Sequence, residues 1–391
     1  MKEEYQSGLP LSSRLEEIDL LRALAILLVI GRHILFIPPN TPAFIKTLVL
    51  SWKEFGWIGV DLFFVLSGFL VSGLLFKEFI QTGRVSIGRF LLRRALKLYP
   101  AFYVFLILGT PLAYTLTNTS STVRGILGEV FFLQNYIGSL WLHTWSLAVE
   151  EHFYLILAGL IAALVSIKKS NNPFGFVPYL FTVVAFVLLT IRSLLGFGFN
   201  FKWHQILTPT HFRIDSLFFG VFLSYLYYFK HEKIRRFFIN YSVLTTVLAI
   251  FLLSPAVFLK LNSNPFLYTI GFTFFYFGFG SLLMNFLFLP HSIKNGFLKI
   301  FGFLPLIGRH SYSIYLWHVA SYVISISMVR HWRGKDDVLL EVPIYFGLSL
   351  IIGVGMSKLI EQPILMLRNR IFPSRSGNIP LGSMVDSRTT K

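Results

Sequence analysis

The chain has 391 residues, is 54% apolar and only 14% charged, and carries 35 Lys and Arg against 18 Asp and Glu, a formal net charge of +17. A soluble domain carries about a quarter charged residues, so this balance, with 43 phenylalanines, excludes an ordinary water-facing surface and points to lipid as the solvent. With no cysteine, disulfides, thiolate catalysis and Cys-ligated zinc or iron–sulfur sites are excluded.

The chain opens on MKEEYQSG, acidic and polar and without a basic lead into an apolar core, so a cleavable signal peptide is not expected and residues 1–15 read as a cytoplasmic segment. Apolar runs of about 20 residues, the length that crosses a bilayer core, follow near 18–37, 57–76, 98–117, 145–167, 177–196, 212–230, 238–259, 265–289, 310–329 and 340–361. They predict an all-α integral membrane protein with about ten transmembrane helices. Gly125 to Tyr136 is too short to span and reads as interfacial or re-entrant; Asn118-Thr119-Ser120 fits a glycosylation sequon. Glu361-Gln362-Pro363 reads as the end of the final helix, because Pro cannot continue it. One transmembrane domain is thus expected over 16–365, followed by a disordered cytoplasmic tail at 366–391, with no soluble domain after the last span.

Lys and Arg crowd the 77–97, 230–236 and 294–309 connections and the tail, which places both termini in the cytoplasm. The positive charge then reads as a topology signal and an attraction to anionic lipid heads. No aromatic and basic pattern suggests nucleic acid.

The first run carries Arg22 and His33, eleven residues apart. At 100° per residue they fall about 20° from a common face, roughly 16 Å apart along the axis. Charge held in a bilayer costs a few kcal/mol or more, so each intramembrane ionisable residue is a functional hypothesis. Sorted by depth, His33, Asp61, Glu150 with Glu151, and Arg213 with Asp215 are expected in one outer layer. Arg22, Arg93, Arg94 and Lys97 form a second layer, basic and cytoplasmic.

Seven segments then match a family. IDLLRALAILLVIGRH, GVDLFFVLSGFL, RRALKLYP, TWSLAVEEHFYL, THFRIDSLFFG, RHSYSIYLWH and IEQP fall in the order found in the acyltransferase-3 family of multi-pass membrane O-acyltransferases, which the chain resembles over nearly its whole length. Arg22 and His33 match the family's Arg-x10-His signature. Arg94 and Lys97 match its RxxR pattern only in part, since Lys lacks the bidentate fork of Arg, and His152 stands where the family more often has Gln. The resemblance implies transfer of an acyl group, commonly acetyl, from cytoplasmic acyl-CoA as co-substrate to a hydroxyl of an extracytoplasmic or lipid-linked glycan. No permanently bound cofactor is implied. It also implies a multi-pass protein of a bacterial cytoplasmic membrane, with membrane lipid, acyl donor and glycan acceptor as partners. Some relatives carry a further hydrolase-like domain; its lack here implies that the chain completes transfer alone or passes an intermediate to a partner.

A sugar hydroxyl needs a base, and His is the usual choice near neutrality. His33 is the expected base, with Glu150 or Glu151 orienting it as the third member of a triad does; adjacent helical residues point about 100° apart, so only one faces it. Asp61 is either a structural hub or a group holding the acceptor. Trp145, Ser146 and Arg213 are candidates for the oxyanion stabiliser, and Asp215 shares Arg213's level. Arg22, Arg93, Arg94 and Lys97 are expected to hold the donor's phosphates, although such a cluster is also what a topology anchor looks like. Ser67 and Gly68 are expected to ease a close helix crossing. His310 and His318 lie about 80° from a common face, and no metal site is expected; His318 reads as a packed histidine more readily than as a site residue. A proton-coupled transporter of a small solute is the rival reading, disfavoured by the lack of an internal repeat or paired broken helices.

Overall fold

The computed structural model describes residues 16–34, 37–38, 41–117, 122–167, 172–199 and 201–373, and within them every regular element is helical. In chain order the α-helices are α1 (Glu16–Arg32), α2 (Ala43–Phe55), α3 (Gly59–Thr82), α4 (Ile87–Thr117), α5 (Val123–Val130), α6 (Trp145–Ile167), α7 (Val177–Ser193), α8 (Trp203–Leu207), α9 (Ile214–Phe229) and α10 (His231–Asn240). There follow α11 (Ser242–Leu253), α12 (Pro255–Phe258), α13 (Pro265–Tyr268), α14 (Ile270–Phe288), α15 (His291–Phe301), α16 (Leu304–Arg309), α17 (Ser311–Arg333), α18 (Val338–Met356) and α19 (Gln362–Ile371). Residues 1–15, the Asn118 sequon and residues 374–391 lie outside the described residues.

The chain is an all-α membrane protein. Each of the ten expected runs coincides with helix, but by length and composition seven helices can cross a membrane, or eight if the pair His231–Asn240 and Ser242–Phe258, bent by 81°, is one span. Two of the remaining runs make shorter helices, α1 with 17 residues and α9 with 16. Pro363 does not end the last helix. The chain passes through a π-turn at Ser357–Glu361 and Pro363 sits in the first turn of α19, where a missing N–H costs nothing. Helix therefore runs to Ile371, past the boundary expected at 365.

Small residues set the central crossings. A Cβ on Gly68 of α3 would lie 2.0 Å from the Leu217 carbonyl oxygen of α9, and one on Gly220 would lie 2.3 Å from that of Val65, so the two backbones touch. Such contact is how helices associate where lipid removes the hydrophobic drive. Gly308 brings α16 equally close to α1, against the Asp19 carbonyl. Gly68 thus does what its position suggested, whereas Ser67 lines a cavity instead.

Two buried ion pairs fasten the same region. Arg213 donates to Asp61 Oδ1 at 2.6 Å, and Arg192 of α7 holds Asp215 through both carboxylate oxygens, at 3.0 and 2.7 Å. All four side chains are fully buried. Arg192 also bonds the Phe212 carbonyl and Thr273, while Arg213 lies 3.6 Å over the Phe272 ring, so α3, α7, α9 and α14 meet here. Removing one partner leaves a buried charge uncompensated, which costs about 3–5 kcal/mol. Arg192→Ala is therefore expected to collapse thermal stability in detergent. Arg330→Ala, which breaks an exposed pair with Asp336 at 2.5 Å, should cost under about 1 kcal/mol. Unfolding followed by size-exclusion of both variants checks the contrast.

Candidate active site

α1 stops at Arg32, and His33 occupies the turn just beyond it, its N–H 3.2 Å from the Ile30 carbonyl. The last carbonyls of a helix lack intrahelical partners, and His33 Nδ1 lies 2.9 Å from one of them, Val29 O. A carbonyl only accepts, so the hydrogen-bond network assigns the ring proton to Nδ1. His318 of α17 is fixed by the same logic: its Nδ1 lies 2.6 Å from Tyr315 O, which leaves a lone pair on Nε2. That Nε2 lies 3.1 Å from His33 Nδ1. One arrangement satisfies every contact. His33 Nδ1–H is shared between Val29 O and His318 Nε2, and His33 Nε2 keeps its lone pair.

A third histidine completes the cluster. His143 stacks edge-on to His318 with ring centroids 4.9 Å apart and lies 6.1 Å from His33. Its Nε2 lies 3.2 Å from Leu316 O, so the proton resides there, and the acceptor Nδ1 is buried without a partner. Glu129 of α5 sets the loop that delivers His143. One carboxylate oxygen accepts from the Leu140 and Trp141 N–H groups and the Thr144 hydroxyl, at 3.2, 3.1 and 2.8 Å. Burial pushes this carboxyl up to about 7, even with three donors converging on it. No group of three or more His, Asp or Glu side chains among the described residues is placed to share a metal ion.

Below the cluster lies a cavity of about 250 Å³ bordered by Arg22, Arg94, Lys97, Glu150, Ser146 and Tyr315. Tyr315 joins it to the histidines. Its hydroxyl donates to His143 O at 2.5 Å, so the Ser146 hydroxyl, 2.6 Å away, must donate to it. The Tyr315 ring lies 5.5 Å from His318 and 5.6 Å from His143. One aromatic layer therefore separates the cavity from the cluster. A second cavity of about 320 Å³ adjoins the first and shares Arg22 and Lys97 with it.

The expected outer layer is divided among three places. His33 meets histidines rather than a carboxylate. Glu150 faces the cavity, where Tyr154 and Ser67 donate to it and Arg94 and Lys97 supply opposite charge. Glu151 points elsewhere and accepts from Tyr99 at 3.1 Å. Asp61, Arg213 and Asp215 are consumed by the buried ion pairs, and Trp145 packs on Phe64 and beneath Arg213. Of the basic layer, Arg22, Arg94 and Lys97 line the cavity, Arg94 lying 4.7 Å over the Tyr154 ring. Arg93 instead donates to Phe372 O and Asn369 near the end of α19. Because α4 starts at Ile87, Arg94 and Lys97 lie on a helix rather than in a loop and stand in the bundle beside Glu150. His143, Arg192, Glu129 and Tyr315 were missed. Arg192, a charge inside the fifth apolar run, was a readable signal; a loop histidine was not.

The profile of the acyltransferase-3 family, described as an acyltransferase domain, matches residues 15–358, and the chain belongs to that family. It is 27% identical over 89% of its length to the peptidoglycan O-acetyltransferase OatA of Listeria monocytogenes, covering 55% of that protein. It is 26% identical over 80% of its length to the O-acetyltransferase OatA of Staphylococcus aureus, covering 53%. A protein of S. aureus strain MRSA252 is 28% identical over 93% of this chain and 59% of its own length. The chain thus spans little more than half the length of the curated relatives it matches. No solved structure matches it.

Glu129→Ala strands two buried N–H groups and a hydroxyl, each worth about 1–3 kcal/mol when unmet. The variant is expected to unfold at lower temperature and to expose the 139–144 loop. Faster amide exchange confined to that loop, measured by mass spectrometry, checks this.

Proposed function

We propose that the chain is a membrane O-acyltransferase that moves an acyl group, acetyl in the simplest case, from acyl-CoA on the cytoplasmic side to a hydroxyl of an extracytoplasmic or lipid-linked glycan. The observation that carries the reading is a cavity with a basic mouth, at Arg22 and Lys97, whose far wall hangs from a histidine cluster through Tyr315 and Ser146. Family membership and the names of its O-acetyltransferase relatives support the reaction class. The lean of Lys and Arg to one set of connections supports the orientation.

In this reading His33 is the general base. Its Nε2 takes the proton of the acceptor hydroxyl as the oxygen attacks the thioester carbonyl carbon. The C–S bond then breaks, and the thiolate leaves with the proton that His33 holds. The charge formed on His33 is favoured twice. His318 Nε2 accepts from Nδ1–H, and the negative end of the α1 dipole faces the ring. His318 is a positioning residue in the place where a triad carries a carboxylate. Glu150 stays in the donor cavity, where it neutralises Arg94 and Lys97 and orients Ser67 and Tyr154. The Tyr315 and Ser146 hydroxyls stand where the acyl end arrives.

His33→Ala is expected to abolish transfer of label from acetyl-CoA sealed inside vesicles to glycan outside, with protein level unchanged; retained turnover removes the base assignment. His318→Ala should lower kcat about 10²-fold or more and shift the pH profile. His318→Gln, which keeps an acceptor for His33 Nδ1–H, should recover part of the loss. Equal loss in both variants would mean that His318 acts through packing alone.

A further inference from the structure

The second cavity is not used by this chemistry, and its lining is unusual for a pocket at the edge of a membrane bundle. Arg22, Lys97, Arg309 and Lys358 bring four cations to it against one carboxylate, Glu361. They come from four separate elements, α1, α4, α16 and the π-turn that precedes α19, so folding brings them together. A π-turn inside a helix is a local distortion that recurs at functional sites. This one turns Lys358 outward and Glu361 inward.

The carboxylate is already occupied. Glu361 Oε2 accepts from Ser313 and Ser357, each at 3.0 Å, and Ser357 in turn lies 2.8 Å from His310 Nδ1. Asp19 stands behind the arginines, 3.8 Å from Arg22 one turn along α1 and 3.7 Å from Arg309, whose guanidinium also donates to Glu16 at 3.4 Å; Gly308 lets α16 approach α1 closely enough for the Arg309 contacts. Asp19 therefore offsets the repulsion between two guanidinium groups without lining the cavity. Lys358 is exposed and has no ion-pair partner among the described residues. Cations gathered in a concave site, one of them held by carboxylates set behind it and another, Lys358, exposed beside it, match a multiply charged phosphate.

We propose that this chamber binds the phosphorylated nucleotide end of the acyl donor, with Arg309 and Lys358 taking its phosphates, while Arg22 and Lys97 at the junction pass the uncharged arm into the first cavity. The inference rests on the reading of the donor as an acyl-CoA. The two cavities then divide one ligand by chemistry. The chamber with four cations receives the anionic end, and the one with Leu66, Leu70, Leu74 and Leu147 on its walls receives the arm and thioester. This assigns the phosphates to Arg309 and Lys358 and leaves Arg93, tied to the chain at Phe372, as a structural contact.

The test compares two donors, acetyl-CoA and S-acetyl-pantetheine, which has the arm and thioester but not the nucleotide phosphates. In Arg309→Gln and Lys358→Gln the ratio of kcat/KM for acetyl-CoA to that for S-acetyl-pantetheine is expected to fall about tenfold per lost contact. Arg235→Gln, an exposed cation on α10 away from the chamber, should leave the ratio alone. Adenosine 3′,5′-bisphosphate should bind the purified protein and weaken in the same two variants. An unchanged ratio, with acetyl transfer intact, overturns the chamber and leaves the acyltransferase reading standing. Absence of transfer from any thioester, with bisphosphate binding still sensitive to both variants, keeps the chamber and removes the reaction. An anionic lipid headgroup has the same chemistry as a bound phosphate. Bisphosphate binding that vanishes in phosphatidylglycerol nanodiscs and is unaffected by either variant in phosphatidylcholine ones assigns the cations to lipid and overturns the proposal.

Discussion

Two guanidinium groups buried in an apolar bundle constrain everything around them. Arg213 and Arg192 are fully buried, and a buried charge is costly unless paired, so each must keep its carboxylate, Asp61 or Asp215, at hydrogen-bond distance. That requirement fixes the register of α3 against α9 and of α7 against both. The glycine contacts at Gly68 and Gly220 depend on it, because backbones that touch tolerate no slide along the helix axis. Once α3 and α9 are locked, Ser67 faces the first cavity and Trp57 packs on α14 through Phe272 and Phe275. Asp61, for which a structural hub was one of two expected roles, and Arg213 and Asp215 thus fasten the scaffold.

The candidate site uses a different device. Two buried histidines, His143 and His318, meet the half-buried His33 without a carboxylate between them, and backbone carbonyls decide where their protons sit. Val29 O, Tyr315 O and Leu316 O each claim one ring N–H. Tautomers are then set by helix ends and helix turns, which are rigid, rather than by side chains, which are not. A carboxylate at this depth would cost several kcal/mol to desolvate, and a neutral imidazole accepting from another offers orientation without that charge. Glu129 lies one step removed, holding the loop rather than a ring.

Glu150 illustrates how far sequence position misleads in a bundle. It lies one turn and a half into α6, close to a helix start, and a count from the nearest apolar boundary puts it beside His33. The long α4 brings Arg94 and Lys97 up to meet it, because the basic stretch before the third apolar run is helix and not loop. Lys and Arg side chains with apolar stems suit such a place. Arg93, one residue away, points to the other side of the same helix and binds the end of α19. Neighbours in sequence therefore meet different partners, Arg94 at the cavity and Arg93 at Phe372.

The sequence by itself determined the solvent, the helical class and the family. Runs of about 20 apolar residues leave no other way to satisfy backbone groups in lipid, and the ordered motifs from Ile18 to Pro363 identify the acyltransferase-3 domain. It also marked Arg22 and His33, since polar groups are costly there. What only the tertiary structure decided is which polar group meets which. His33 with His318 are 285 residues apart and Asp61 with Arg213 are 152, and pairing at such separations depends on helix rotation and depth, to which hydrophobic periodicity is blind when a helix is apolar on every face.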